Sequence, residues 1–313
     1  MKTIGVVIAT YNGQIFLKEQ IDSIVGQTRR PLKIIMVDDV SKDGTHGIIR
    51  RYMEQYPGTF IFIQNERNLG AKGAFEIGIS ACDTDYIALS DQDDIWEQNK
   101  LEVLYDVMEK NKEALLCFHD MKLIDHEGDP IGKNFWEAAP LHEPLPLTGA
   151  EARKRLADLS NPVPGCTMFF SSDLKKHILP IPASKWVGHD WWISVVAYFL
   201  ADPVFVKNPL TRYRLHGDQT AGVGTIFKKA DFGKKKYSLP FKIKREVERI
   251  FKRGYARKNR LLEKDVRAME MSSALMKMIE TCERLNSLPV DKSELQQFRK
   301  KIEERLRNLH KPS

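Results

Sequence analysis

The chain has 313 residues, 42% hydrophobic and 29% charged, the balance of an ordinary soluble globular protein with core enough for one large domain or two smaller ones. No apolar window reaches the roughly 18 residues of a membrane-spanning helix, and the four cysteines, Cys82, Cys117, Cys166 and Cys282, have no Cys-x-x-Cys spacing, so they read as free thiols in a reducing cytoplasm. The net charge of +7 is local: residues 224–260 hold 14 Lys or Arg against 3 Asp or Glu, which leaves the rest of the chain net acidic.

Met1-Lys2-Thr3 runs straight into a strand pattern with no charged leader or cleavage site, so nothing marks the chain for secretion. Residues 3–8 form the continuous apolar run of a strand buried on both faces, and Ala9-Thr10-Tyr11-Asn12-Gly13 breaks it. Leu17, Ile21, Ile24 and Val25 then recur at helical spacing. The unit repeats: residues 33–37 form a second strand ending in Asp38-Asp39, and Ser41 or Asp43 can cap a helix carrying Ile48, Ile49, Tyr52 and Met53. A third strand, residues 60–64, leads through Asn68 to Gly73 into a helix ending near Cys82. The fourth is Tyr86-Ile-Ala-Leu-Ser90, followed at once by Asp91-Gln92-Asp93-Asp94-Ile95-Trp96.

Strands alternating with helices imply a mainly parallel sheet wound by right-handed crossovers, with ligands beyond the carboxyl ends of its strands. That rule places residues 9–13, Asp38-Asp39 and Asp91 to Asp94 on one rim. Neither Gly-x-Gly-x-x-Gly nor a Walker sequence is present, so a dinucleotide fold and a P-loop ATPase are unsupported. Three carboxylates in four residues after a buried strand repel one another unless a cation sits among them. Mg²⁺ or Mn²⁺, held by one or two carboxylates and a substrate's phosphates, answers that need; a solvated helix-capping turn is the other reading.

Beyond the acidic stretch the pattern predicts a helix over 98–109, strands at 114–118 and 123–125, and a loop over the site from Pro130 to Pro146. It then predicts a buried strand at 165–170, a helix from about Trp186 to Leu200, and a last strand at 204–206 before Tyr213-Arg214-Leu215-His216-Gly217.

In this order, Val-Ile-Ala-Thr-Tyr-Asn-Gly13, Val37-Asp-Asp39 with Ser41 and Asp43-Gly-Thr45, and Asn68-x-Gly70 are followed by Ser90-Asp-Gln-Asp-Asp-Ile-Trp96, His189-Asp-Trp-Trp192 and Tyr213-Arg-x-His-Gly217. Residues 1 to about 222 therefore resemble the family 2 glycosyltransferases, most closely their bacterial rhamnosyltransferase-like branch. The resemblance implies an α/β fold of the GT-A nucleotide-diphospho-sugar transferase type, with a mainly parallel central sheet flanked by helices and a helical extension over 223–313. It also implies a nucleoside-diphosphate sugar donor, Mn²⁺ or Mg²⁺, and transfer with inversion. Matched position by position, Asp190 is the general base, Ala9, Tyr11, Asp39 and Asp91 hold the nucleotide, and Asp93 and His216 meet the metal. Trp191 and Trp192 would wall the sugar or the acceptor. Each role has a plain structural counterpart: Asp190 could merely favour a helix N-terminus, Asp39 could cap a turn, and the tryptophans could be core. The expected activity is transfer of a sugar, L-rhamnose from dTDP-L-rhamnose, to a lipid-linked glycan in surface polysaccharide synthesis. A UDP-hexose donor and a non-catalytic glycan-binding scaffold are the alternatives. Leu215, Asp218 and Gln219 depart from the amides more usual in this branch.

In the tail, Phe241 to Arg253 sets Val247, Ile250 and Phe251 on one helical face among Lys and Arg, which reads as an anionic membrane surface or as packing on the catalytic domain. A cytoplasmic protein, peripheral on the inner face of the cell membrane, follows from the first reading. Nucleic acid is not expected, since no recognition motif accompanies the charge. Asp291 to Glu294 resembles a capping pair ahead of a stripe of Leu295, Phe298, Ile302, Leu306 and Leu309, a face able to join a partner subunit.

Overall fold

The computed structural model describes residues 1–138, 163–183 and 187–216, with helical residues 272, 273, 276, 296, 299, 300, 302 and 303. The basic stretch 224–260, residues 139–146, the 291–294 pair, and Leu295, Phe298, Leu306 and Leu309 lie outside the described residues.

The expected alternation is present. Strands β1 (Ile4–Thr10), β2 (Lys33–Asp38), β3 (Phe60–Gln64) and β4 (Tyr86–Ser90) are separated by helices α1 (Leu17–Val25), α2 (Thr45–Gln55) and α3 (Gly70–Ala81). β1 pairs in parallel with β2 and β4, and β2 with β3. The second half is mixed. It runs β5 (Ile95–Trp96), α4 (Lys100–Lys110), β6 (Leu116–Ile124), β7 (Pro130–Asn134), α5 (Phe135–Ala138), β8 (Phe169–Ser171), α6 (Lys175–Ile178), α7 (His189–Leu200) and β9 (Val204–Arg214). One nine-stranded sheet results, in the order β3-β2-β1-β4-β8-β6-β9-β5, with β7 on β6. β8 is antiparallel to β4 and β6, β5 is antiparallel to β9, and β6 runs parallel to β9.

Alternate side chains of each strand serve opposite faces. Val6 and Ile8, Ile34 and Met36, Tyr86 and Ala88 meet Leu17, Ile21 and Ile24 of α1 and Leu101, Leu104 and Met108 of α4. Val7, Ile35, Val37, Ile87 and Leu89 meet Phe75 and Ile79 of α3 and the apolar residues of α7. Both faces are covered, which is why these strands read as unbroken apolar runs. Ile302 belongs to the second cluster and Met276 packs against it, so part of the C-terminal segment lies on this face of the sheet.

Four sequence expectations change. The strands expected at 114–118 and 123–125 are one strand, because β6 carries a register shift around Asp120 whose bend hides the alternation. β9 continues to Arg214 and carries Pro209 opposite Asp120 at that shift, where a missing N–H costs the ladder nothing. Residues 130–138 of the expected loop form β7 and α5; as a short two-stranded addition on β6, β7 needs no apolar alternation. Residues 165–167 form a 3-10 turn, and β8 begins only at Phe169.

The loops after β1 and β2 are stitched together. Asn12 N–H donates to Ser41 Oγ at 2.8 Å, Gly13 N–H to Thr45 Oγ1 at 2.9 Å, and Gly44 N–H to Gln14 Oε1 at 2.7 Å. Asp38 is fully buried and accepts from the Ser41 hydroxyl and N–H and from the His46 ring, whose Nε2 is 2.7 Å away. Burial alone would raise its pKa, but the Ser41 and His46 bonds together hold it below the ordinary carboxylate range. Asn12 and Val40 take left-handed backbone angles, φ 49° and 68°. For β-branched Val40 this is a strained conformation of the kind that gathers at functional loops.

Two outcomes follow from this packing. A Cβ on Gly78 of α3 would stand 2.3 Å from Val7 Cγ1 and 3.1 Å from Val37 Cγ2; Gly78→Ala should therefore cost about 1–3 kcal/mol by overpacking, read as a lower urea midpoint at unchanged slope. Because the Asp38 pKa is depressed on folding, its contribution is present above the unfolded carboxylate pKa of about 4 and is lost as pH falls through the folded value. Melting temperatures taken from pH 5 down to pH 2 should fall more steeply for the wild type than for Asp38→Asn.

Candidate active site

The acidic turn leaves the carboxyl end of β4 and is carried into β5, whose Ile95 and Trp96 pair with Arg212 and Thr211 of β9. Asp94 is fully buried, with Oδ1 accepting the Arg214 N–H at 3.3 Å and Oδ2 without a hydrogen-bond partner among the described residues. Burial and the charges of Asp93 and Asp91 push its pKa far up. Asp91 is pushed up to about 7, by burial first and then by the charges of Asp93 and Asp190. That last influence matters: a carboxylate a hundred residues further along the chain has been brought to the turn.

Asp190 lies in the first turn of α7, where the helix dipole favours an anion. The 3-10 turn at 165–167 packs directly over it. A Cβ on Gly165 would stand 2.7 Å from His189 Nε2 and 3.5 Å from Asp190 Cβ, so only glycine lets the turn come this close. The next residue, Cys166, offers its thiol beside the acidic turn: its Sγ and a carboxylate oxygen from each of Asp91 and Asp94 lie within 4.8 Å of one another. Burial and the two carboxylates keep that thiol protonated.

Lys100 sits behind this group, at the start of α4 and fully buried. Its Nζ donates to Cys166 O and to Thr211 Oγ1, each at 2.9 Å, and stands 3.8 Å from the Trp96 ring centroid. Burial draws its pKa down to about 7, against the pull of the nearby Asp94 and Asp91.

At the front of the turn, His216 Nε2 is 2.8 Å from Asp93 Oδ2. The two residues expected to meet a metal are thus neighbours, although 123 positions apart. An imidazole nitrogen and a carboxylate oxygen held together at a partly open rim are a donor set that suits Mn²⁺, and the half-buried acidic group beside them needs positive charge, so the residues fit a divalent ion.

The nucleotide end is built from the first two loops. Tyr11 is 49% exposed, and its backbone is locked to the acidic turn in both directions: its N–H donates to Gln92 Oε1 at 2.9 Å, and Gln92 Nε2 donates to its carbonyl at 3.1 Å. Ala9, near the end of β1, is half-buried. The Asp39 carboxylate accepts from Asn65 Nδ2 at 2.8 Å, from Leu69 N–H at 2.8 Å and from Gly70 N–H at 2.7 Å. It closes the N-terminus of α3 and is buried, and of the roughly four lone-pair positions of a carboxylate these bonds take three.

Trp191 and Trp192, expected as a wall for sugar or acceptor, are core residues, 3% and 7% exposed, because α7 is buried along its length from Trp191. Trp192 Nε1 donates to Ile178 O at 2.9 Å. Trp96 also packs in the core. Sequence reasoning missed Lys100, Cys166, Gln92 and the side chain of Arg214. For Lys100 a signal existed: it lies one turn before Leu104 on the apolar stripe of α4, and a charge on a buried face needs a reason.

Comparison with known proteins agrees with this architecture. Residues 5–178 match the family described as glycosyl transferase family 2. An uncharacterized glycosyltransferase of Nostoc sp. is 27% identical over 217 residues, 68% of this chain and 65% of that one. A protein of Mycobacterium tuberculosis is 32% identical over 126 residues, 40% of this chain and 36% of that one, so the chain spans less than two thirds of the length of both relatives. The dTDP-rhamnosyl transferase RfbG of Shigella flexneri is 27% identical over 233 residues, 71% of this chain and 75% of that one. Among solved structures, TarS 1-349 of S. aureus in complex with UDP-GlcNAc superposes with a TM-score of 0.56 at 17% identity, covering 98% of this chain and 90% of that one. The fold is therefore of the GT-A type, and the chain belongs to glycosyl transferase family 2.

Proposed function

We propose that the protein is an inverting, divalent-metal-dependent glycosyltransferase that moves a sugar from a nucleoside diphosphate to a hydroxyl of a glycan acceptor. The observation that carries this reading is the convergence on one rim of Asp93 with His216 and of Asp91 with Asp190, residues supplied by separate halves of the chain.

In this reading the loop at Ala9 and Tyr11 holds base and ribose, Asp39 offers its remaining lone pair to the N3–H of uracil or thymine, and Asp91 faces the ribose. Asp93 and His216 hold the metal, which when bound offsets the charge gathering on the departing diphosphate. Asp190 accepts the proton of the acceptor hydroxyl as that oxygen bonds to the anomeric carbon. The bond from that carbon to the diphosphate breaks on the opposite face, and the electron pair leaves with the diphosphate, so configuration inverts. Lys100, buried behind the carboxylates, keeps part of their charge compensated through each cycle.

For the donor, the likeness to RfbG over most of both chains supports L-rhamnose from dTDP-L-rhamnose, for transfer to a lipid-linked glycan in surface polysaccharide synthesis. The second reading, a UDP-hexose donor, draws on the likeness of fold to TarS in complex with UDP-GlcNAc. A thermal-shift panel separates them: a nucleoside diphosphate at a hundredfold excess over its Kd should stabilise the protein by about 2.7 kcal/mol, and only with Mn²⁺ or Mg²⁺ present. A dTDP preference supports rhamnose, a UDP preference supports hexose, and silence towards every nucleotide removes both.

Asp190→Asn tests catalysis itself. Turnover should fall roughly 10²–10⁴-fold while donor-stimulated stabilisation persists. Unchanged turnover would remove Asp190 as the base.

A further inference from the structure

Arg214 ends β9 with its side chain 2% exposed, and it is among the largest fully buried side chains of the protein. Its guanidinium is divided among three elements. Nε donates to Asp93 O at 3.0 Å, Nη1 to His126 O at 2.8 Å, and Nη2 pairs with Glu19 Oε2 on α1. Its own backbone N–H donates to Asp94 Oδ1. Below the plane lies Phe16, 4.6 Å from the guanidinium carbon, and the same ring is 4.9 Å from the ring of His216 and 5.0 Å from that of His126.

This one residue therefore bonds to Asp93 directly and reaches the His216 side of the pair through the Phe16 ring that both share. It fixes the peptide of Asp93, which decides where that carboxylate points, and the position of His216 two residues further along its own chain. The shared Phe16 ring sets the tilt of the His216 imidazole. An ammonium could replace the charge but not the planar fork that reaches several acceptors in fixed directions. The outer end of the clamp is Glu19, 56% exposed on its side chain, which ties the arrangement to α1 from outside the site.

We infer that Arg214 is the positioning residue of the metal pair: by clamping the Asp93 carbonyl against the His126 carbonyl and Glu19, it fixes how Asp93 and His216 would be presented together to a divalent cation. The inference rests on the metal reading of that pair given above. It assigns Arg214 no contact with substrate.

The test is Mn²⁺ binding by the full chain, followed as loss of the free-ion electron paramagnetic resonance signal, with folding checked by far-ultraviolet circular dichroism. Residues that orient a metal's ligands typically carry 10–100-fold of its affinity; Arg214→Lys should therefore weaken Mn²⁺ binding by about that factor while keeping the charge. Glu19→Ala, at a half-exposed position outside the site, should weaken it by a smaller factor, about 3–10-fold on the same scale, and decides the matter if the buried Lys variant does not fold. Folded variants of both kinds that bind Mn²⁺ like the wild type, in a protein where Asp93→Asn abolishes binding, would overturn the role of Arg214 and leave the metal reading standing. Undiminished binding by Asp93→Asn would overturn the metal reading and this inference with it.

Discussion

The structure is organised around a problem of charge. Asp91, Asp93, Asp94 and Asp190 converge on one end of a sheet buried on both faces, where lost hydration first and mutual repulsion second push two of them well above the ordinary carboxylate range. The fold answers from two sides. Lys100 comes from α4 behind the turn, and Arg214 comes from β9 beneath it, each buried and each bonded to carbonyl oxygens of the segments that carry the site. At the front the Asp93 carboxylate meets His216. Compensation from the back is thus partial, and Asp93 and His216 stand on the partly open side. A buried charge of this kind is costly to install, and the cost fits a region whose arrangement must be unique.

The two halves of the chain divide the labour. β1 to β4 and their loops form a regular parallel unit whose rim presents backbone and carboxylates: Tyr11 locked to Gln92, Asp39 closing α3, and Ser41 and Thr45 holding the first loop. Three segments of the second half return to the acidic turn, and together they deliver four groups to it. The 3-10 turn before β8 brings Cys166, α7 brings Asp190, and β9 brings Arg214 and His216. Lys100 joins two of these by bonding to Cys166 O and Thr211 Oγ1.

Much of the first half was legible because both faces of its strands are buried: an unbroken apolar run followed by a 3.6-residue stripe has few other solutions. The site's polar residues were legible as an ordered set of motifs, and the approach of Asp93 to His216 and of Asp91 to Asp190 is what such a set requires. What escaped had physical reasons. The bend of β6 at Asp120 divided one strand into two apparent ones, and Pro209 hid the length of β9 by seeming to end it. Residues 130–138 form elements too short and too polar to print a period. Trp191 and Trp192 looked like a wall because aromatic rings serve core and ligand equally, and only the burial of α7 decides. Lys100 and Arg214 act through carbonyl groups, which no sequence displays.

The place of β8 in the sheet has a consequence for how the chain folds. β4 pairs on one side with β1, 82 residues behind it in the order of synthesis, and among the described residues its other edge is closed by β8, which begins at Phe169. Until that short strand arrives, a growing chain carries an apolar strand with an open row of backbone donors and acceptors, the kind of edge that recruits foreign strands. The acidic turn is fused to the end of that edge, and its unneutralised carboxylates repel any second copy aligned against it. The charge that burdens the finished site would then protect the unfinished one.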